Sequence, residues 1–194
     1  HSEAAAERFR FTSQNEIGVA GANYGTDGQV LTSGGAGAAV AWEDAGSSSR
    51  QVQGTPSTGS GTFVFPCSSG NHPAMEIGSA SALGGGKIEL AIPSDFSTVA
   101  KAVILVIPSQ TGNLRLRVAT SFGANGEAKD TNTDSIAEAT ISAVAHRLIE
   151  YDFAAALTGL AASDHLAIHF ERDGTEAADT VGTLRFASAL LEYT

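Results

Sequence analysis

From Leu114 the chain reads Leu-Arg-Leu-Arg-Val, and from His165 it reads His-Leu-Ala-Ile-His-Phe. Strict alternation of apolar and polar residues has period two. It suits a strand with one buried face and gives a helix no continuous apolar stripe. The alternation turns Leu114, Leu116 and Val118 inward and Arg115 and Arg117 outward, and it puts Leu166, Ile168 and Phe170 on one face of a second strand. The run "TLRFASALLEY" repeats the pattern at the C-terminal end, and "AKAVILVI", closed by Pro108, reads as a strand buried on both faces. "EATISAVAHRLIEYDFA" predicts one or two further strands, and "AAALTGLAASD" a short helical turn stopped at Gly159. Short strands at regular spacing, with "SQTGN" and "RDG" as turn signals, predict an all-β fold. The expected architecture is a jelly-roll-like antiparallel β-sandwich over residues 50–194.

Composition narrows the function classes. The 194 residues carry a net charge of −10, with lysine only at Lys87, Lys101 and Lys129. Such a surface repels phosphate backbones and anionic lipid, so neither nucleic acid nor a membrane is an expected partner. The longest continuous apolar run, Ala102 to Ile107, is too short to cross a bilayer. A single cysteine, Cys67, supplies neither an intrachain disulfide nor a zinc spacing.

The residues able to carry chemistry form no enzyme signature. His165 and His169 share a strand face about 13 Å apart, at about 3.3 Å per residue, too far for one metal ion. Asp130, Asn132 and Asp134 alternate like the opening ligands of a calcium loop, with Glu138 following as a fourth oxygen donor. The pattern then departs, because Ser135 stands where the loop needs glycine and Ile141 where it needs glutamate. "ERDGTEAADT" gathers Glu171, Asp173, Glu176 and Asp179 in a turn region, which sets a glycosidase-like pair of carboxylates against a solvated hairpin loop. No nucleophile elbow, dinucleotide fingerprint or phosphate loop occurs, so no catalytic residue and no organic cofactor is predicted; calcium is the one candidate ion.

Residues 1–49 differ in kind. "EIGVAGANYGTDGQVLTSGGAGAAVAWED" is glycine-rich, with a few apolar residues, and reads as an extended arm of short segments joined by turns such as Thr26–Gly28. Gly25, Gly28, Gln29, Val30, Leu31, Thr32, Ser33, Gly35, Ala36, Gly37 and Trp42 resemble the "GxxGQVLTSxGAGxxxxW" motif of tail fibres and other virion structural proteins of tailed bacteriophages. The end of the chain, "LAASDHLAIHFERDGTEAADTVGTLRFASALLEY", is similar to the last strands of β-sandwich domains in phage structural proteins, with Ser163 where glycine is usual.

The resemblance implies a virion protein, located in the extracellular particle and most simply part of a tail fibre or similar appendage. It implies a homo-oligomer, expected to be a trimer, in contact with other virion proteins and able to bind a host-surface glycan. Tyr24, Gln29, Val30, Leu31 and Trp42 are then the expected plugs of the subunit interface, because a lone arm buries too little to offset its ordering entropy. No receptor-binding residue is identified. Two alternatives stand beside it: a capsid decoration or head-fibre protein, and an extracellular carbohydrate-binding module or glycan-cleaving enzyme.

Overall fold

The computed structural model describes residues 9–14, 16–20, 22–44, 49–61, 64–79 and 83–194. Contacts divide the chain into two compact units, His1–Ser48 and Ser49–Thr194. The first unit holds two small antiparallel pairs. Strand β1 (Phe9–Phe11) pairs with β2 (Ile17–Val19), and β3 (Gln29–Thr32) pairs with β4 (Ala41–Asp44). The glycine-rich segment is thus folded back into hairpins. The Thr26–Gly28 turn closes where the Gln29 N–H donates to the Thr26 carbonyl (3.1 Å) and Gly28 takes a φ of +88°.

The second unit is an antiparallel jelly-roll-like β-sandwich. Its strands are β5 (Arg50–Gly54), β6 (Thr58–Ser60), β7 (Val64–Ser69), β8 (His72–Gly78), β9 (Gly84–Ala91), β10 (Val99–Pro108), β11 (Gly112–Gly123), β12 (Asn132–Ala143), β13 (Ile149–Asp152), β14 (His165–Arg172) and β15 (Thr183–Tyr193). One sheet runs β13-β10-β15-β8-β7, with β5 also paired to β15; the other runs β12-β11-β14-β9-β6. The described residues include no α-helix, only a 3₁₀ turn at Ala154–Ala156, and Gly159 follows it at a φ of +88°. The long apolar stretch is two strands, β12 and β13, separated by a turn at His146.

The alternation read from the sequence is what closes the sandwich. Leu114, Leu116, Val118, Leu166, Ile168 and Phe170 face Ile77, Ile104, Val106, Leu184, Phe186 and Leu191 in one core. The Phe170 ring lies 4.9 Å from Phe186 and 6.4 Å from Tyr151, centroid to centroid, within the range of favourable aromatic pairing. The triple glycine at the start of β9 has a steric cause. A Cβ on Gly85 would overlap the Phe170 carbonyl, and one on Gly86 would sit 2.7 Å from the Phe186 ring. Only glycine lets β9 lie this close to both.

Candidate functional site

The outer face of the five-stranded sheet is where the sequence departs from an ordinary solvated strand face. Inward positions on β11 and β14 are filled by core residues, so the alternate positions point out. The register lays them in rows across the sheet. One row is Ser135, Ala119, His169, Lys87 and Thr58; the next is Thr133, Ser121, Ala167 and Glu89. Ala119, Ser121 and Ala167 keep the β11–β14 part of these rows low, while His169 and the flanking strands carry an imidazole, hydroxyls and charges. The result is an open trough of about 630 Å³. A second hollow of about 630 Å³ shares Glu89, Ser121 and Ala167 with it and extends under the β11–β12 loop past His165, Asn125 and Lys129. Among the described residues no tryptophan, tyrosine or phenylalanine lines either hollow, so the lining offers hydrogen-bonding groups rather than an aromatic stacking surface.

His169 is the most constrained side chain of this face. Its Nε2 lies 2.7 Å from the Ser60 hydroxyl, and its Nδ1 lies 3.8 Å from the Glu171 carboxylate. Glu171 is itself held by the Arg117 guanidinium, whose Nε donates to Oε2 at 2.8 Å. Burial pushes the His169 imidazole below its ordinary value; Glu171 opposes this, while Lys87 and Arg117 add to it. The ring is therefore neutral at neutral pH, with one donor and one acceptor nitrogen. An activated serine needs its base fixed by a hydrogen bond on the second ring nitrogen. The 3.8 Å separation is beyond hydrogen-bond range, so Ser60, His169 and Glu171 form a polar network in which the His169 Nδ1 lacks that hydrogen bond to Glu171.

The four acids of "ERDGTEAADT" separate in space and role. The Asp179 carboxylate and the Arg172 guanidinium are fully buried and paired, Nη2 to Oδ1 at 2.6 Å and Nε to Oδ2 at 2.9 Å. Asp179 also accepts the backbone N–H of Arg115 and of Val181. Arg172 donates in addition to the Ile77, Val181 and Gly182 carbonyls. Asp173 accepts from the Thr175 hydroxyl, which holds its carboxyl below the usual range. With Glu171 on Arg117 and Glu176 exposed, none of the four lines the trough.

The candidate calcium ligands are also spread out. Asp130 lies beside Lys129 (3.4 Å), Asn132 and Asp134 lie on β12, and Glu138 accepts from Arg115 at 2.5 Å. The strand extends where a calcium loop must curl, so the four oxygens do not converge. Among the described residues no group of three His, Cys, Asp or Glu would hold a metal ion. Cys67 sits half-buried on β7, its thiol pushed up by burial and by Glu76, the chemistry of an unreactive thiol.

In the first unit, the expected interface residues fall into two groups. Trp42 packs over Gly25, where a Cβ would lie 2.9 Å from the indole, and its Nε1 donates to the Asn23 carbonyl (3.1 Å). Gln29 accepts the Thr26 N–H through Oε1 (3.0 Å), and Tyr24 is half-buried. Trp42 and Gln29 therefore already have partners inside the unit. Val30 and Leu31 stay 44% and 39% exposed.

Fold and face together define an antiparallel β-sandwich with an open trough of mixed polar and small apolar lining on one sheet. No protein-family model and no curated protein matches the chain. Similar solved structures include a family 11 carbohydrate-binding module from Clostridium thermocellum in complex with a β-1,3-1,4-mixed-linked tetrasaccharide. It is 14% identical over 74% of this chain and 87% of that one, with a TM-score of 0.40. The family 11 module of the cellulosomal cellulase Lic26A-Cel5E of the same organism is 14% identical over 86% and 95%, with a TM-score of 0.41. A chain of infectious bursal disease virus, Gx strain, is 15% identical over 85% of this chain and 37% of that one, with a TM-score of 0.36. Likenesses this distant assign no family.

The trough residues were hidden in the sequence. Lys87, Glu89, Ser121 and Ala167 are unremarkable one at a time, and only the register brings them together. The one available signal was the small size of Ala119, Ser121 and Ala167 at outward positions, where strands facing bulk water usually carry long polar side chains.

Proposed function

We propose that this protein is a non-enzymatic binding module whose sheet trough takes a neutral, hydroxyl-rich glycan. The observation that carries the reading is the trough itself: the small Ala119, Ser121 and Ala167 beside His169, hydroxyls from Thr58, Ser121, Thr133 and Ser135, and Lys87 set among Glu89 and Asp134. Ring hydroxyls both donate and accept, and a mixed lining of this kind answers both needs without favouring an ionic ligand. Carboxylate spacing argues against cleavage. Glu89 on β9 and Asp134 on β12 stand three strand intervals apart, roughly 14 Å at about 4.8 Å per interval. Glycosidases place their pair within about 5–10 Å. Glu127 is engaged by the Ala124 N–H at 2.9 Å.

The reading is tested by affinity electrophoresis of the full chain through gels of dextran, mixed-linkage β-glucan and galactomannan. Retardation in at least one gel is expected, and Ser121→Phe, which fills the trough from an outward position, should abolish it. Equal retardation of the variant, or none of the wild type in any gel, would overturn the proposal.

A second reading concerns where the module is carried, and the Gly25–Asp44 segment favours it. Its motif resembles tailed-phage fibre proteins, and its hairpin leaves Val30 and Leu31 exposed on a two-stranded ribbon that is marginal alone in water. On this reading the first unit assembles the chain into a trimer on a virion appendage and the sandwich presents the trough to a host-surface glycan.

A further inference from the structure

A separate cavity of about 550 Å³ lies at one end of the six-stranded sheet, where the β7–β8 turn, the end of β10 and the β12–β13 turn meet. The chain has 21 acidic residues against 11 basic ones, yet among the described residues no carboxylate lines this cavity. Its ionisable side chains are Arg147, His72 and His146, with the Ser69 hydroxyl beside them.

Arg147 is set apart from the other arginines of the sandwich. Arg50, Arg115, Arg117, Arg172 and Arg185 each form an ion pair, with Asp95, Glu138, Glu171, Asp179 and Glu76 respectively. Among the described residues of this unit, Arg147 is the arginine that forms none, and its side chain is exposed at the cavity. The turn that presents it is pinned at three successive N–H groups. Ala145 donates to the Thr111 hydroxyl (3.1 Å), His146 to the Pro108 carbonyl (2.8 Å) and Arg147 to the Val144 carbonyl (3.3 Å). His146 is held at a φ of +57°, a left-handed conformation that non-glycine residues rarely adopt. The facing wall is a two-residue hairpin turn with Gly70 at a φ of +60°, whose closing pair is Ser69 and His72. Arg185 donates to the Ser69 hydroxyl from behind (3.4 Å), and Ile107 adds an apolar side.

We propose that this cavity is an oxyanion site in which Arg147, with the His72 and His146 rings, holds the carboxylate, sulfate or phosphate group of a small ligand. A guanidinium presents its donors as a planar fork that matches two oxygens of such a group, and imidazole N–H groups from two walls supply the remaining directions. The site is distinct from the sheet trough and does not depend on the trough's ligand.

The test is an NMR titration of the histidine ring signals of the full chain with sodium sulfate, sodium phosphate and sodium glucuronate in separate arms, against sodium chloride at matched ionic strength. Saturable shifts of the His72 and His146 rings are expected in at least one arm, with His165 and His169 unmoved. Arg147→Gln, which keeps an exposed polar side chain, should weaken binding by about tenfold or more and leave the thermal midpoint unchanged. The arms separate a carboxylate from a sulfate or phosphate ligand. Shifts that follow chloride equally, no shift in any arm, or an affinity indifferent to Arg147→Gln would overturn the proposal.

Discussion

Arg172 and Asp179 form the most demanding pair of residues in the sandwich. Both charged groups are fully buried, and every donor direction of the guanidinium is met by the Asp179 carboxylate or by a backbone carbonyl. Such a pair tolerates no half measure: removing one partner leaves an uncompensated buried charge, at a cost of about 3–5 kcal/mol. Asp179→Ala is expected to lower chemical-denaturation stability by that amount, whereas Glu176→Ala, three residues away and exposed, should leave it unchanged. His169 offers a second residue-scale test. Its folded value lies below the ordinary 6.5, so the unfolded chain takes up the proton first as pH falls. Stability is then complete above about pH 6.5 and declines with acid down through the lowered folded value. The melting midpoint of the wild type should fall between about pH 7 and pH 5 more steeply than that of His169→Gln. The sequence showed Glu171, Asp173, Glu176 and Asp179 as one acidic cluster. It contained no hint that Arg172 would draw one of them into the core, because the partner carbonyls come from β8 and from the chain beyond the turn.

Elements were more legible than residues. Period-two alternation in β11, β14 and β15 is a local property, and each run became a strand with the expected face inward. "AKAVILVI" became β10, closed by Pro108 and largely buried on both faces. The glycine-rich segment was less legible. Its turns were visible, but pairing of β3 with β4 places Leu31 opposite Trp42 across the loop of residues 33–40, and sequence gives no register for such a pair. Hence Trp42, expected to seek a second chain, caps Gly25 within its own unit. The trough was the least legible feature, since five strands from distant parts of the chain supply its lining. The division of elements also yields a prediction. Among the described residues the sandwich core is built from Val52 onward, so a chain of residues 49–194 should fold alone and melt within a few degrees of the full chain. If the first unit carries assembly, sedimentation should show a trimer for the full chain and a monomer for residues 49–194. A full-length monomer would remove the assembly reading while leaving the sandwich intact.

For the whole molecule, an acidic sandwich sorts its surface by charge. Among the described residues, carboxylates pair with every arginine of the sandwich but Arg147, the trough sets Lys87 among Glu89 and Asp134, and the lining of the cavity at the sheet end is cationic and neutral. A net charge of −10 repels polyanions at long range but has little effect on a neutral glycan. The central claim is that such a glycan lies along the five-stranded sheet. Its most direct test is amide shift mapping of the isotope-labelled full chain with oligosaccharides from whichever of the three polysaccharides retards it. The account predicts that the perturbed amides trace Thr58, Lys87, Glu89, Ser121, Ala167 and His169 across four neighbouring strands. Perturbation confined to the other sheet, or to residues 9–44, would contradict it.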